Sequence, residues 1–155
     1  MDAEDLMKKL FAYGHKIIHL PTLKISTLKT ELVNPDNFDA FIFTSANAVR
    51  NLKLTSTNKS VHCFCVGSIT EKIARQSGFI NTSSAGGTVN ALKNLIMVSD
   101  KVNKNANLAY FCGDNISYDL DLELKNEGLK IKKIVNYSSE VISDLNNENK
   151  KLIEN

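Results

Sequence analysis

Phe38-Asp39-Ala40-Phe41-Ile42-Phe43-Thr44-Ser45-Ala46-Asn47-Ala48-Val49 is the stretch that decides how this chain folds. Its first half is an aromatic and β-branched run, the composition of a buried strand. The run ends in Thr44-Ser45, and a helical pattern follows, with Val49 and Leu52 three apart and Arg50, Asn51 and Lys53 among them. A strand that passes into a helix through a hydroxyl pair opens a βαβ unit. Ser45 or Asn47 can cap that helix, leaving its first N–H groups facing outward at the carboxyl end of the strand. In open α/β sheets that edge is where ligands bind.

Working downstream, the unit recurs. Val61-His62-Cys63-Phe64-Cys65-Val66 reads as a second strand ended by Gly67, and a helix over 69–77 stops at Gly78. Residues 80–84 form a short third strand. Ala85-Gly86-Gly87 then turns, and Thr88 caps a helix with Val89, Leu92, Leu95 and Ile96 on one side. Leu108-Ala109-Tyr110-Phe111-Cys112 is a fourth strand, ended by Gly113. Asp119 to Leu124 alternates like a strand, yet Ile116, Leu120 and Leu124 also keep helical spacing, and Gly128 stands where a helix would stop. Helix is the choice that preserves the βα rhythm. Lys130 to Ile142 is a fifth strand that leaves the sheet near Ser138 as a linker. The expected fold is α/β: a flavodoxin-like, five-stranded parallel sheet with helices on both faces, in the order 2-1-3-4-5, plus linker strands and a partial second domain.

Upstream, residues 2–13 read as a helix with Leu6, Leu10 and Phe11 on one face and Gly14 as its stop. No strand precedes it. Residues 15–29 are extended, with weak alternation through Leu23, Ile25 and Thr27, and Asn34-Pro35-Asp36-Asn37 is a turn. The expected organisation is a helix from an incomplete domain over 1–14, a linker strand and turn over 15–37, a complete α/β domain over 38–137, and a second linker with a polar, frayed helical tail over 138–155.

Bulk properties exclude several classes. The 155 residues are 43% apolar and 23% charged, ordinary for a soluble globular chain with one real core. A net charge of +2, with lysines spread along the sequence, gives no case for nucleic acid. The apolar runs are too short for a membrane span, and Met1-Asp2-Ala3-Glu4-Asp5 is acidic where a secretory signal would be basic. Cys63, Cys65 and Cys112 lie within strands and lack a framework spacing, which points to reduced thiols and a cytoplasmic setting.

Four strand-to-helix junctions bear small or hydroxyl residues: Thr44-Ser45-Ala46-Asn47, Gly67-Ser68-Ile69-Thr70, Gly86-Gly87-Thr88 and Gly113-Asp114-Asn115. Taken singly, each is an ordinary cap or tight turn. As a row on one sheet edge, they suit a ligand with several carboxylates or phosphates. No dinucleotide fingerprint and no P-loop lysine occurs. Cys63 and Cys65 share one strand face but have no evident third ligand, so they read as small core residues and no metal is expected. His15, His19 and His62 are scattered, and no nucleophile–base pair or paired carboxylate stands out. Tyr137 is an aromatic hydroxyl near the expected ligand edge, where most tyrosines merely pack with the hydroxyl wet.

The order of these motifs resembles the uroporphyrinogen-III synthase family. Gly14 to Leu23 looks like the family's first helix end and linker strand running into a proline. Phe38 to Val49 is similar to its strand ending in Phe-Thr-Ser before an Ala-Val helix, and Val66-Gly67-Ser68-Ile69-Thr70 to its Val-Gly turn with a following threonine. Ala85 to Leu92 matches its small-residue turn before an Ala-Leu helix. Phe111-Cys112-Gly113-Asp114, Leu124 to Gly128 and Val135-Asn136-Tyr137 match its closing run. The set covers most of the chain from Leu6 to Val141.

The resemblance implies an enzyme, without cofactor or metal, that closes linear hydroxymethylbilane into uroporphyrinogen III and inverts the last pyrrole ring. It implies two α/β domains joined by a two-stranded linker, with substrate in the cleft between them. Tyr137 resembles the family tyrosine proposed to assist loss of the hydroxyl as water. Ser45, Ala46, Asn47, Ser68, Ile69, Thr70, Gly87 and Thr88 would hold acetate and propionate side chains. The opening strand and the turns of the other domain are missing, so a shortened chain is expected, with activity in doubt. The full-length family is monomeric, and self-association is left open here. The alternative is a non-catalytic flavodoxin-like module that binds an anion or a tetrapyrrole. A receiver would need an acidic cluster where Asp114 stands alone, and a sugar or nucleotide half-domain would need a glycine-rich first turn.

Overall fold

The computed structural model describes residues 3–18 and 20–142. In chain order the elements are α1 (Ala3–Ala12), β1 (Leu23–Thr27), β2 (Ala40–Phe43), α2 (Ala46–Arg50), β3 (His62–Cys65), α3 (Ser68–Gln76), β4 (Thr82–Ser84), α4 (Val89–Met97), β5 (Asn107–Gly113), α5 (Leu120–Asn126) and β6 (Lys130–Val141). The ambiguous stretch before Gly128 is therefore a helix. The chain divides into two compact units, one from Ser26 to Ser138 and one made of residues up to Ile25 with those from Ser139 onward.

In the larger unit the Phe-rich run is fully buried on both faces. Alternation sorts its side chains: Phe41 and Phe43 enter one layer with Phe79 and Phe111, while Ala40 and Ile42 enter the other with Tyr110 and Phe64. Phe41 meets Phe111 edge-on at 5.0 Å between centroids, and Phe43 stacks on it at 5.3 Å. The first layer is closed by α2 and α3 through Ala48, Val49, Ile73 and Ala74, and the second by α4 and α5 through Leu92, Ile96, Leu120 and Leu124.

The sheet has six strands in the order β1-β6-β5-β2-β3-β4. The ladders from β6 across to β4 are parallel. Hydrogen bonds from Leu28 N–H to Asn136 O and from Ile142 N–H to Thr22 O set β1 antiparallel to β6, so the sheet is mixed. This corrects the expected five-stranded flavodoxin-like order. Counted from β2, the parallel strands run 3-2-1-4-5, not 2-1-3-4-5. The physical reason lies in β4. Its Thr82-Ser83-Ser84 is too short and too polar for the doubly buried central place that the flavodoxin order assigns to a third strand, and it takes the edge. Right-handed crossovers then carry the chain outward over α2 and α3 on one face and back over α4 and α5 on the other. The direction reverses between β2 and β5, which makes their carboxyl ends the switch point.

The helix expected over 46–54 stops at Arg50. Asn51 donates from its side-chain amide to Asn47 O, and the following residues peel off to pair with Val33, whose N–H reaches Lys53 O at 3.0 Å.

In the smaller unit, α1 carries an exposed Glu4–Lys8 pair and ends at Gly14, whose φ of +81° is the left-handed stop a glycine provides. Leu6 and Phe11 are exposed at 44% and 77%. The expected polar tail and His19 fall outside the described residues.

Candidate functional site

The polar junctions gather at the carboxyl edge of the parallel strands. Ser45 caps α2: its Oγ accepts from Asn47 N–H at 3.1 Å, so Ser45, not Asn47, is the cap. Asn47 instead receives Arg50 on its Oδ1. Thr88 caps α4, accepting from Ala91 N–H at 3.2 Å. The α3 start has no side-chain cap, because Gly67 occupies that place, and its free donors face a hollow.

That hollow measures about 520 Å³ and is lined by Val66, Gly67, Ser68, Ile69, Thr70 and the Ser84–Gly87 turn. Gly87 has φ +94° and ties its N–H to Val66 O at 2.9 Å, which folds the turn back over the α3 start. Ser68 and Ile69 are open to solvent, whereas Thr70 is only 5% exposed and meets the hollow from below. Behind it, Glu71 accepts from the Thr82 hydroxyl at 2.7 Å and pairs with Arg75 at 3.0 Å, and the Thr82 and Ser84 hydroxyls hold its carboxyl below the ordinary value.

A second hollow, about 180 Å³, opens at the switch point itself. Thr44 and Ser45 come to it from β2, Tyr110 and Gly113 from β5, Val89 from α4, Asn115 to Tyr118 from the loop after β5, and Tyr137 from β6. Tyr110 OH lies 3.2 Å from Thr44 Oγ1, and burial pushes its phenol up to about 12, so it remains a neutral O–H. Thus Ser45 and Tyr137 share one hollow, while Ser68, Ile69, Thr70 and Gly87 share the other. Ala46, Asn47 and Thr88 line neither, although the Gly87–Thr88–Val89 turn bridges the two.

Tyr110 and Tyr118 carry no site signal in the sequence, whereas Thr44 and Asn115 stand there as members of the junction row. Tyr110 reads there as a core aromatic in a strand, and only the pairing of β2 with β5, which sets Ile42 opposite Tyr110, shows its hydroxyl reaching Thr44. A further hollow, about 730 Å³, lies at the opposite, amino-terminal edge around Asp36, Asp39 and His62. Its carboxylates are already engaged, Asp36 by the Asn58 amide and Asp39 by Asn107 N–H. His62 is held by Ser83 Oγ at 3.0 Å against the Phe64 ring, and burial lowers its pKa. Lys101, which also lines this hollow, is paired with Asp100 at 3.0 Å, and the carboxyl edge, with its free α3 N-terminus and hydroxyls, is the candidate site.

The cysteines are core residues. Burial pushes the Cys63 thiol far up, Cys65 up to about 12 and Cys112 up to about 11. Among the described residues no group of His, Cys, Asp and Glu is placed to hold a metal ion, and no helix is long and apolar enough to cross a membrane.

An open sheet covered on both faces, with hydroxyl-rich turns collected around its switch point, is the class of α/β protein that takes ligands in a crevice at the strand ends. The family follows from sequence. The family model described as uroporphyrinogen-III synthase HemD matches residues 4–155, and the chain belongs to that family. No curated protein matches it. Solved structures share its fold. One is the uroporphyrinogen-III synthetase of Helicobacter pylori, at 22% identity and TM-score 0.60, over 86% of this chain and 60% of that one. Another is a mutant uroporphyrinogen III synthase of Thermus thermophilus, at 13% identity and TM-score 0.54, over 90% of this chain and 59% of that one. The chain thus spans about 60% of the length of these structures.

Proposed function

We propose that this chain acts as a uroporphyrinogen-III synthase, a cyclising lyase of tetrapyrrole and heme biosynthesis that closes hydroxymethylbilane with inversion of its last ring. The observation that carries the reading is the pair of adjoining hollows at the carboxyl edge, one lined by the free α3 N-terminus and the Gly86-Gly87 turn, the other by Ser45, Tyr110 and Tyr137. Free N–H donors and hydroxyls at one edge complement the acetate and propionate groups of such a substrate. Ser68, Ile69, Thr70, Gly87 and Thr88 would hold one set of carboxylates, and Ser45, Ala46 and Asn47 another.

The chemistry asks for a proton donor and for orientation, and for no redox step. The C–O bond of the hydroxymethyl group breaks, and its oxygen takes a proton and leaves as water. The electrophilic carbon bonds to the α carbon of the last pyrrole that already carries a methylene bridge; the bond from that carbon to its bridge then breaks, and the freed bridge carbon bonds to the ring's unsubstituted α carbon, which gives up a proton. Tyr137 is the residue we assign to hydrogen-bond the departing oxygen, because it lines the switch-point hollow. No cofactor is required by this scheme. Family membership supports it over a receiver or a sugar-binding module. Residues 38–137 are read as the complete α/β domain, with linker segments over 15–37 and from 138. Three buried free thiols fit a reducing, cytoplasmic setting.

The test is the product isomer. Hydroxymethylbilane closes by itself to the I isomer, so formation of the III isomer at a rate proportional to added protein is the expected result. The I isomer alone would leave the chain as a tetrapyrrole-binding module.

A further inference from the structure

Strand β6 does not alternate cleanly through the site. Ile134 packs into the layer of α2 and α3, and Val135 into the opposite layer. Strict alternation would then put Asn136 in the first layer and Tyr137 in the second. Yet Tyr137 packs with Ile134 in the first layer. The cause is a bulge: Cys112 pairs with Val135 but Gly113 with Tyr137, so Asn136 is an extra residue against β5. A one-residue slip turns the following side chain to the other face.

Asn136 is also a residue whose burial demands explanation. It is 2% exposed, its Nδ2 donates to Ala48 O in α2 at 2.7 Å, and its Oδ1 has no partner. The acceptor is a carbonyl, which fixes the amide with nitrogen toward α2. Its own carbonyl receives Leu28 N–H at 3.1 Å, and the next carbonyl, that of Tyr137, receives Asp114 N–H at 3.0 Å. The bulge is therefore tied on both sides and anchored through its side chain to the helix that Ser45 caps.

We propose that Asn136 is the positioning residue for Tyr137: its bond to the Ala48 carbonyl holds the bulge that turns the Tyr137 ring across Gly113 and into the switch-point hollow. The functional weight of this rests on the reading of Tyr137 above, but the positioning itself does not.

The experiment is a pair of readouts on the whole chain. The first is the nuclear Overhauser contact between the Tyr137 ring and the Gly113 α-protons, with the ring signal assigned through Tyr137→Phe. Asn136→Ala should abolish it while the contact between Phe41 and Phe111 persists. If the alanine variant does not fold, Asn136→Ser, too short to reach Ala48, answers the same question. A folded variant that keeps the Tyr137–Gly113 contact overturns the proposal. The second readout is kcat against KM for III-isomer formation. Asn136→Ala and Tyr137→Phe should both lower kcat at least tenfold and leave KM within twofold. A lost contact with Tyr137→Phe at full rate would sustain the positioning and overturn the role assigned to Tyr137 instead.

Discussion

The Tyr137 ring lies so close to Gly113 that a methyl built on that glycine would come within 2.8 Å of Cε2 and Cζ and 3.1 Å of the hydroxyl oxygen. Gly113 does not occupy the left-handed region, so its backbone would accept alanine. Only the ring forbids it. Gly113→Ala should therefore cost about 1–3 kcal/mol, the usual cost of overpacking, and move the ring out of the hollow. In a Tyr137→Ala background the same change should be nearly neutral. Urea denaturation of the four proteins gives the coupling energy, and a value near zero would mean that the ring has room to yield.

Acid should weaken the fold through Asp121. Burial raises the pKa of this carboxyl, but a hydrogen bond from Lys125 at 3.2 Å and the ion pair with Lys133, also at 3.2 Å, outweigh it and leave the group below its ordinary 3.8. A depressed carboxyl contributes stability that is present above the unfolded-state pKa and lost as pH falls through the folded one. Denaturation midpoints should hold above the ordinary value and fall below it. Asp121→Asn should lower the midpoint at neutral pH and flatten that acid limb. An unchanged limb in the variant would assign the acid sensitivity to Glu71, which is depressed by the Thr82 hydroxyl.

The thiols should be silent in the native state. With Cys65 pushed up to about 12 and Cys112 up to about 11 by burial, almost no thiolate exists at about pH 8. A thiol reagent should react with none of the three cysteines until denaturant is added, and then with all three. Fast labelling of the folded protein would show that the layer behind β3 opens readily.

Much of this was legible in the residues. The run from Phe38 to Val49 announces a doubly buried strand followed by a capped helix, because its apolar content is continuous and its exit is a hydroxyl pair. The edge position of β4 was also written in Thr82-Ser83-Ser84, whose polarity suits no central strand, but the flavodoxin analogy obscured it. What the sequence did not disclose depends on partners far along the chain. The face that Tyr137 takes follows from a single extra residue in β6, and strand periodicity alone assigns it to the other layer. The Tyr110–Thr44 contact needs the β2–β5 pairing, which no local pattern encodes. The junction Gly67-Ser68-Ile69-Thr70 marks Thr70 as a ligand-facing hydroxyl but leaves its depth open. One residue further into α3 than Ile69, it is turned inward by the helix period.

That inward turn makes Thr70 a sharp probe of the larger hollow. The residue is almost buried and lines the cavity at the α3 N-terminus, so Thr70→Val keeps its volume and removes a single hydroxyl. Stability should change by less than about 1 kcal/mol, since no buried partner is stranded. If the hydroxyl meets a carboxylate, a charge-assisted bond of about 1.5–3 kcal/mol is lost, and affinity for a polycarboxylate porphyrin should fall about ten- to hundredfold. Fluorescence titration with uroporphyrin measures this directly. Ser45→Ala, in the neighbouring hollow, provides the comparison, because its Oγ is already committed to capping α2. It should cost the helix about 1 kcal/mol and affect binding less. Equal losses for the two variants would show that general loosening of the edge governs affinity, and no loss for Thr70→Val would move the carboxylates to the exposed Ser68.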